Sequence, residues 1–463
     1  MRRSGPIPLL TACALLAACA SPPDRAPAPS PEPPAAWTAA ESTPAAAPEP
    51  WVEAFASPQL RELILEAFAR NPDLEIAAAR LDQAIAEARV AGADGLPEAN
   101  LGLSGQRQKI STFGPQSIGG VRFDDYGLDL SVSWELDLWG RLRDRESAAL
   151  GRAQASEADF AAARLSLAGR VAQAWFNLLE AEEQRQLARA TAEADRENLR
   201  ALENRFERGL GDGLDLRRIR AQAAASEAEL SRRARTRDQL ARSLNSLLGA
   251  YPETLDPVSR ALPPLPPELP AGIPADILER RPDLAAAERR LAAAEKELGA
   301  ARKERLPRIS LTGAAGRSSQ EFRDLADNDF SVWSLGANLA QPVFQGGRIA
   351  GSIQRAEALR TQAAAEYRRA ALQAFLEVES GLAAEALLRE EAERLAEAAA
   401  EAAAAEELAW VRYGKGTTAF LDALEASRTA ASTRSQAIRL SNQLLQNRID
   451  LYLALGGPVL ETP

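Results

Sequence analysis

Asn71-Pro72-Asp73-Leu74 returns as Arg281-Pro282-Asp283-Leu284, an offset of 281 − 71 = 210, and Leu96-Pro97 returns at the same offset as Leu306-Pro307. Further along, Gly140-Arg141 and Gly347-Arg348, Arg205-Phe206 and Arg412-Tyr413, Gly209 and Gly416, Leu214-Asp215 and Leu421-Asp422, and Leu248-Gly249 and Leu455-Gly456 share an offset of 207. The chain is a duplicated half-protein, so whatever it folds into is built twice. Solenoid repeats run to roughly 20–50 residues, far shorter than this period. The copies cover 51–252 and 273–457, with a Pro-rich connector at 253–272 and a short tail at 458–463. The second copy is three residues shorter between about Gly105 and Leu128, and tolerated length variation marks a surface loop there.

Within each copy the hydrophobic period changes twice. Residues 59–94 read as helix, with Leu60, Leu63, Ile64, Ala67 and Phe68 on one apolar face. The period then becomes two: Leu128, Leu130, Val132, Trp134, Leu136 and Leu138 alternate with Asp129, Ser131, Ser133, Glu135 and Asp137. That alternation suits a half-buried soluble strand, or a barrel strand with lipid on one side and water on the other, and a transmembrane strand needs about 9–11 residues. Partner strands are expected at 101–107, 309–315 and 333–343, four per chain. Four strands cannot close a pore, and open edges are excluded within hydrocarbon, so chains must associate; three would supply twelve strands.

From Arg141 to Phe206, and again from Arg348 to Tyr413, no proline interrupts a helical composition, a length of about 100 Å at 1.5 Å per residue. Leu165, Ala168, Ala172, Trp175 and Leu179 step by heptad spacing, as in coiled-coil packing. Each long helix reverses at a glycine-containing turn, 205–213 or 412–418, and a shorter helix returns toward Gly249 or Gly456. Glycine supplies the left-handed backbone such a reversal needs.

Composition excludes several classes. There is no histidine, which removes the commonest general base, the usual zinc ligand and every Ser/His/Asp or Cys/His nucleophile arrangement. Carboxylates remain, but pairs at i,i+3 or i,i+4 on Ala/Glu/Arg helices form solvated faces, so no catalytic residue, metal ligand or cofactor site is expected. The formal charge is −10 and Arg is spread opposite Glu, which gives no footprint for nucleic acid. No run approaches the ~20 apolar residues of a spanning helix in the mature chain.

Both cysteines lie at the N-terminus, where Arg2 and Arg3 precede an apolar run from Ile7 to Ala18, the layout of a secretory signal over 1–18. Leu16-Ala17-Ala18-Cys19 resembles the bacterial lipobox, which makes Cys19 a lipidation site and a covalent lipid such as palmitate the one non-protein group expected; cleavage as an ordinary signal near Ala18 or Ala20 is the other reading. Ala20 after the cysteine favours the outer membrane by analogy with other lipoproteins. Residues 19–50, rich in Pro and Ala, read as an extended tether that buries little and carries no site.

Together these residues resemble the outer membrane factor family, the TolC- and OprM-type channels, and within it the lipoprotein branch serving resistance-nodulation-division multidrug efflux pumps. The carriers are Asn71-Pro72-Asp73-Leu74, Glu279 to Leu284, Trp134 to Arg141, Pro342 to Arg348 and the two Arg-aromatic-x-x-Gly turns, over about Trp51 to Gly457. The resemblance implies a mainly α protein with a membrane β-barrel part: a homotrimer with a twelve-stranded barrel and a long α-helical tunnel across the periplasm. It implies a passive exit duct whose partners are outer membrane lipid, a periplasmic adaptor protein and an inner-membrane pump. The same duct could serve type I protein secretion. A periplasmic adaptor or pore-less coiled-coil protein is a more distant reading, since an adaptor has one helical hairpin and both halves here carry one.

The resemblance also places Arg208, Gly209, Gly211, Gly213, Gly414, Lys415 and Gly416 at periplasmic tips that meet the adaptor, although these glycines could simply permit the turns. Leu421, Glu425 and Arg428 fall at i, i+4 and i+7 on one helix face, with Asp422 beside them, and match the family's periplasmic gate. An ordinary i,i+3 ion pair between Glu425 and Arg428 is the alternative. The first copy departs here, with Arg218 opposite Glu425 and Ala221 opposite Arg428.

Overall fold

The computed structural model describes residues 34–39, 50–110, 120–257, 261–267, 272, 274 and 276–460; Cys19 and the signal segment lie outside the described residues. In the first copy the elements are α1 (Pro58–Arg70), α2 (Pro72–Ala93), β1 (Glu98–Ile110), β2 (Val121–Leu136), α3 (Arg141–Glu207) and α4 (Gly213–Leu247). The second copy repeats them as α5 (Asp276–Arg280), α6 (Pro282–Lys303), β3 (Arg308–Ser319), β4 (Ser331–Ala340), α7 (Arg348–Gly414) and α8 (Phe420–Ala454). Both long helices have 67 residues and both return helices 35, the equality the constant offset predicts. The chain forms two compact units, one from Ala86–Arg152 and Arg290–Arg368, the other from Pro31–Ile85, Ala153–Arg289 and Arg369–Pro463.

The helix expected over 59–94 is two helices. Proline at 72 cannot donate to the helix ladder, so α1 stops at Arg70 and Asn71 turns extended. Asn71 then works in both directions: its Oδ1 accepts from Leu74 N at 3.2 Å and its Nδ2 donates to Leu247 O, at the end of α4, at 2.7 Å. The second copy reproduces the contact, with Arg281 Nη1 donating to Ala454 O at 3.1 Å. The residue before proline in each copy thus satisfies a carbonyl that a helix C-terminus leaves without an internal partner.

All four hairpin helices end on a glycine in the left-handed region. Gly209 N donates to Phe206 O and Leu210 N to Arg205 O, each at 2.9 Å, and Gly416 N to Tyr413 O with Thr417 N to Arg412 O repeats the pattern. These are Schellman closures. Gly249 and Gly456 end α4 and α8 in the same way, at φ of 76° and 70°. A Cβ on Gly249 would sit 2.2 Å from Arg70 O, whereas one on Gly209 would meet nothing within 4 Å. Gly209→Ala should therefore cost only the left-handed strain, about 1–2 kcal/mol. Gly249→Ala adds a backbone collision and should cost clearly more, read as a larger drop in the urea midpoint.

Two strand ends fall short of expectation. β2 stops at Leu136 instead of Leu138 because the Asp137 carboxylate accepts from Leu142 N and Arg143 N, at 3.1 and 2.9 Å, and so caps α3. β4 stops at Ala340, short of 343, because Pro342 offers no backbone donor. At the other end β1 and β2 extend to Ile110 and Val121, while the second hairpin continues into short 3-10 helices at Phe322–Ala326 and Asn328–Phe330. The connections themselves, 111–120 and 320–330, are nearly equal, so the extra length of the first copy is carried by its longer strands.

In the second unit, the core gathers Trp51, Phe55, Leu60 and Ile64 against Leu167, Val171, Trp175, Phe176 and Leu178 of α3 and Leu445 and Ile449 of α8. The heptad residues Ala168, Ala172, Trp175 and Leu179 are buried, but so are Leu167, Val171, Phe176 and Leu178, and Leu165 is only half-buried. This stretch of α3 is covered on more than one side, wider than a two-position seam. Residues 34–39 depart from the expectation of a tether that buries little. Trp37 is buried against Ile277, Leu284, Ala371, Ala374 and Val378, its ring edge-on to Phe375. The backbone N–H groups of Thr38 and Ala39 donate to the Glu379 carboxylate at 2.8 and 3.0 Å. Among the described residues α5 has five residues against thirteen in α1, and the Trp37 indole supplies apolar area beside it.

Candidate functional site

The first unit carries one four-stranded antiparallel sheet in the order β1-β2-β3-β4. Its register sorts the side chains completely, because successive residues of a strand point to opposite faces. On one face the rungs read Leu101–Leu130–Ala315–Trp333, Ala99–Val132–Gly313–Leu335, Trp134–Leu311–Ala337 and Leu136–Ile309–Leu339. On the other they read Asn100–Ser131–Ala314–Ser334, Gly102–Asp129–Gly316–Val332 and Glu98–Ser133–Thr312–Gly336. Both copies therefore place their large apolar residues on the same side of a continuous sheet, Val332 being the exception in these rungs.

Among the described residues nothing covers that apolar face: Leu101 is 75% exposed, Trp333 82% and Leu335 81%. From Leu136 to Leu128 the band runs nine residues, about 27 Å along the strand. It ends where charge begins, at Arg317 and at Arg107, whose guanidinium donates to both oxygens of Asp124 at 2.6 and 2.7 Å. Aromatic rings mark both margins. Tyr126 and Phe322 pack edge-on at one; at the other, Trp134 and Trp139 donate to Gly95 O and Pro307 O at 2.9 and 2.7 Å. β1 and β4 have one neighbour each, so two strand edges stand open.

In the second unit lie the turns and the face beyond them. Arg208 and Lys415 are exposed on their loops. Of the glycines expected to permit the reversals, Gly209 and Gly416 hold positive φ, at 71° and 74°. Gly414 instead closes α7 as its last helical residue, and Gly213 opens α4, behind Asp212, whose carboxylate accepts from Leu214 N at 3.0 Å. Gly211 is needed for space, since a Cβ there would come within 3.1 Å of Phe206 N and Cα.

Leu421, Asp422, Glu425 and Arg428 are exposed together on the first turns of α8, as the helical spacing predicts. The ion pair between Glu425 and Arg428 does not form. Arg428 reaches across to α4, donating through Nε and Nη2 to Gln222 Oε1 at 3.0 and 2.8 Å, and Gln222 Nε2 donates in turn to buried Asp195 at 3.1 Å. Asp422 accepts from the Thr418 hydroxyl at 3.0 Å. Among the described residues Glu425 has no ion-pair partner, so its charge is presented to solvent.

Behind this face lies a cluster that periodicity did not single out. Trp410, Tyr413 and Phe420 meet edge-on at centroid separations of 5.6–6.2 Å, over Leu202, Leu216, Ile219 and Leu424. Trp410 Nε1 donates to Ser427 Oγ at 2.7 Å, and the Arg205 guanidinium lies 5.2 Å over the Tyr413 ring. A sequence signal existed: Leu376 to Ala409 holds no aromatic residue, and then three arrive within eleven positions.

Among the described residues no group of His, Cys, Asp or Glu side chains is arranged to hold a metal ion, and no helix is long and apolar enough to cross a membrane. A family model described as outer membrane efflux protein matches residues 63–250 and 273–457, once per copy. The pyoverdine export outer membrane protein OpmQ of Pseudomonas putida is 32% identical over 437 residues, covering 92% of each chain. The toluene efflux pump outer membrane protein TtgF, also of Pseudomonas putida, is 31% identical, over 88% of this chain and 85% of its own. The solved structure of the outer-membrane channel OprN superposes with a TM-score of 0.87 at 29% identity, over 95% of this chain and 99% of its own. The chain belongs to the outer membrane efflux protein family.

Proposed function

We propose that this chain is the outer membrane duct of a tripartite efflux pump, in which three copies close a twelve-stranded barrel and six helical hairpins form one tunnel. The observation that carries this reading is the sheet, with an apolar band on one face, mostly polar or small residues on the other, and open at both edges. Only closure with further strands satisfies those edges in hydrocarbon, and only lipid outside with water inside suits both faces. A lipid on Cys19 would anchor each copy. The tips around Arg208-Gly209 and Lys415-Gly416 meet a periplasmic adaptor that joins an inner-membrane pump. Pyoverdine and toluene, in the names of the two relatives, share little chemistry, which supports a wide aqueous path with selection left to the pump. Those names also favour efflux over protein secretion. No catalytic step or cofactor other than the lipid is part of this reading.

The exposed face of Leu421, Asp422, Glu425 and Arg428 is the periplasmic gate. Repeated by a three-fold axis, unpaired Glu425 carboxylates would repel one another and attract cations, with Arg428 setting the balance. Reconstitution in planar bilayers tests both levels. A conducting state is expected, and its absence would remove the duct. Glu425→Ala combined with Arg428→Ala should raise the resting conductance; a pore as tight as the parent would remove the gate assignment.

A further inference from the structure

The two hairpins differ at one contact that the duplication makes directly comparable. In the first, Arg220 of α4 donates through Nε and Nη2 to Glu203 Oε1 of α3, at 3.2 and 2.9 Å, with both side chains well exposed. Adding 207 gives Ser427 on α8 and Trp410 on α7, and these two form the indole-to-hydroxyl bond at 2.7 Å. One slot holds a solvated ion pair in the first copy and a neutral, directional bond inside an aromatic cluster in the second. Salt screens the former and hardly touches the latter.

The slot lies behind the gate face. Phe420 and Leu424 are each 2% exposed, packed with Trp410 and Tyr413, while Leu421 and Glu425, their neighbours along α8, are exposed. Residues of a helix are fixed 100° apart, so whatever holds Phe420, Leu424 and Ser427 also sets the direction of Leu421, Glu425 and Arg428. Apolar packing alone tolerates small rotations of α8, because it is non-directional. The Trp410–Ser427 bond does not, because a hydrogen bond weakens steeply off its axis.

We infer that Trp410 and Ser427 are positioning residues of the gate: their bond fixes the rotation of the first two turns of α8 and thereby the aim of Leu421 and Glu425. The inference rests on the gate reading. Tyr413 extends the same cluster to the first hairpin through Arg205, four residues before the Schellman glycine at 209. A displacement of either tip loop therefore reaches the gate-bearing turns through one set of rings.

The test uses the complete protein in planar bilayers, with four variants compared against the parent. Ser427→Ala and Trp410→Phe should raise the resting conductance about fivefold, the shift that loss of one net hydrogen bond gives. Ser427→Thr keeps the hydroxyl and should return it to the parent level. Glu203→Ala with Arg220→Ala, the matching change in the first hairpin, should leave it unchanged. Parent-like leak in both Ser427→Ala and Trp410→Phe overturns the inference, as does an equal rise in Ser427→Ala and Ser427→Thr, which would mean packing alone. Glu425→Ala with Arg428→Ala, run in parallel, separates the levels. If it leaks and Ser427→Ala does not, the gate stands and the positioning role falls; if it does not leak, the gate falls and the positioning role with it.

Discussion

Leu130→Arg is expected to cost about 2–4 kcal/mol in the folded, lipid-embedded protein, the penalty of a guanidinium near the middle of a bilayer. Leu130 lies mid-strand between Leu101 and Ala315, inside the apolar band, so an arginine there has no water within reach. Ser131→Arg, one residue along, should cost less than about 1 kcal/mol, because lumen-facing substitutions mainly tune selectivity. Its neighbours Asn100 and Ala314 leave room on a polar face. Guanidinium titration of both variants in lipid vesicles measures the difference. Equal destabilisation, or a worse outcome for Ser131→Arg, would contradict the assignment of faces.

The second large effect concerns Arg448, which is fully buried. Its Nε donates to Glu385 Oε2 at 3.0 Å, its Nη2 to the other Glu385 oxygen, and its Nη1 to the carbonyls of Pro266, at 3.2 Å, and Pro267. Arg448→Ala leaves a carboxylate without its main partner and should cost about 3–5 kcal/mol. The corresponding first-copy positions, 448 − 207 = 241 and 385 − 207 = 178, are Ala241 and Leu178, both buried. The duplication thus supplies the control: Glu385→Leu with Arg448→Met removes both charges and should recover most of the loss in thermal unfolding. No recovery would locate the stabilisation in the two proline carbonyls.

The same pair fixes a pH dependence. Burial raises the Glu385 pKa, but the bonds and charges of Arg448 and Arg389 outweigh it, and the carboxyl is held below its ordinary range. The folded value being the lower one, the contribution is fully present above the unfolded carboxylate value of about 4.3 and is lost as pH falls through the folded value. Parent protein should lose stability through that acid range, and the Leu/Met variant should lose less.

What the amino-acid order made legible is what repeats or alternates. The offset of 207 carried the hairpins to equal lengths, and the alternation from Leu128 put the side chains of Leu128 to Leu136 on their observed faces. Two boundaries escaped because one side chain decided them. Asp137 continues the alternation yet its carboxylate caps α3, and Asn71 continues an apolar helix yet precedes a proline. Contacts between distant residues escaped altogether. Nothing near Ser427 points to Trp410, nothing near Glu385 to Arg448, and Trp37 in a Pro/Ala tract carries no period. On the face of Leu421, spacing placed four residues together on one exposed stretch but did not give the bonding partner, since Arg428 turns to Gln222 and not to Glu425.

The polar face of the sheet has a kinetic meaning. Its rungs are mostly glycine, serine, alanine and threonine around isolated carboxylates such as Asp129, which lies between Gly102 and Gly316. A wall of such small side chains offers a solute few groups to bind, so a cargo crossing it has little residence time to set a rate. Flux through such a wall grows in proportion to what is delivered and does not saturate, and two cargoes crossing together do not compete for it. Saturation and competition seen in whole cells would then belong to the protein that loads the duct.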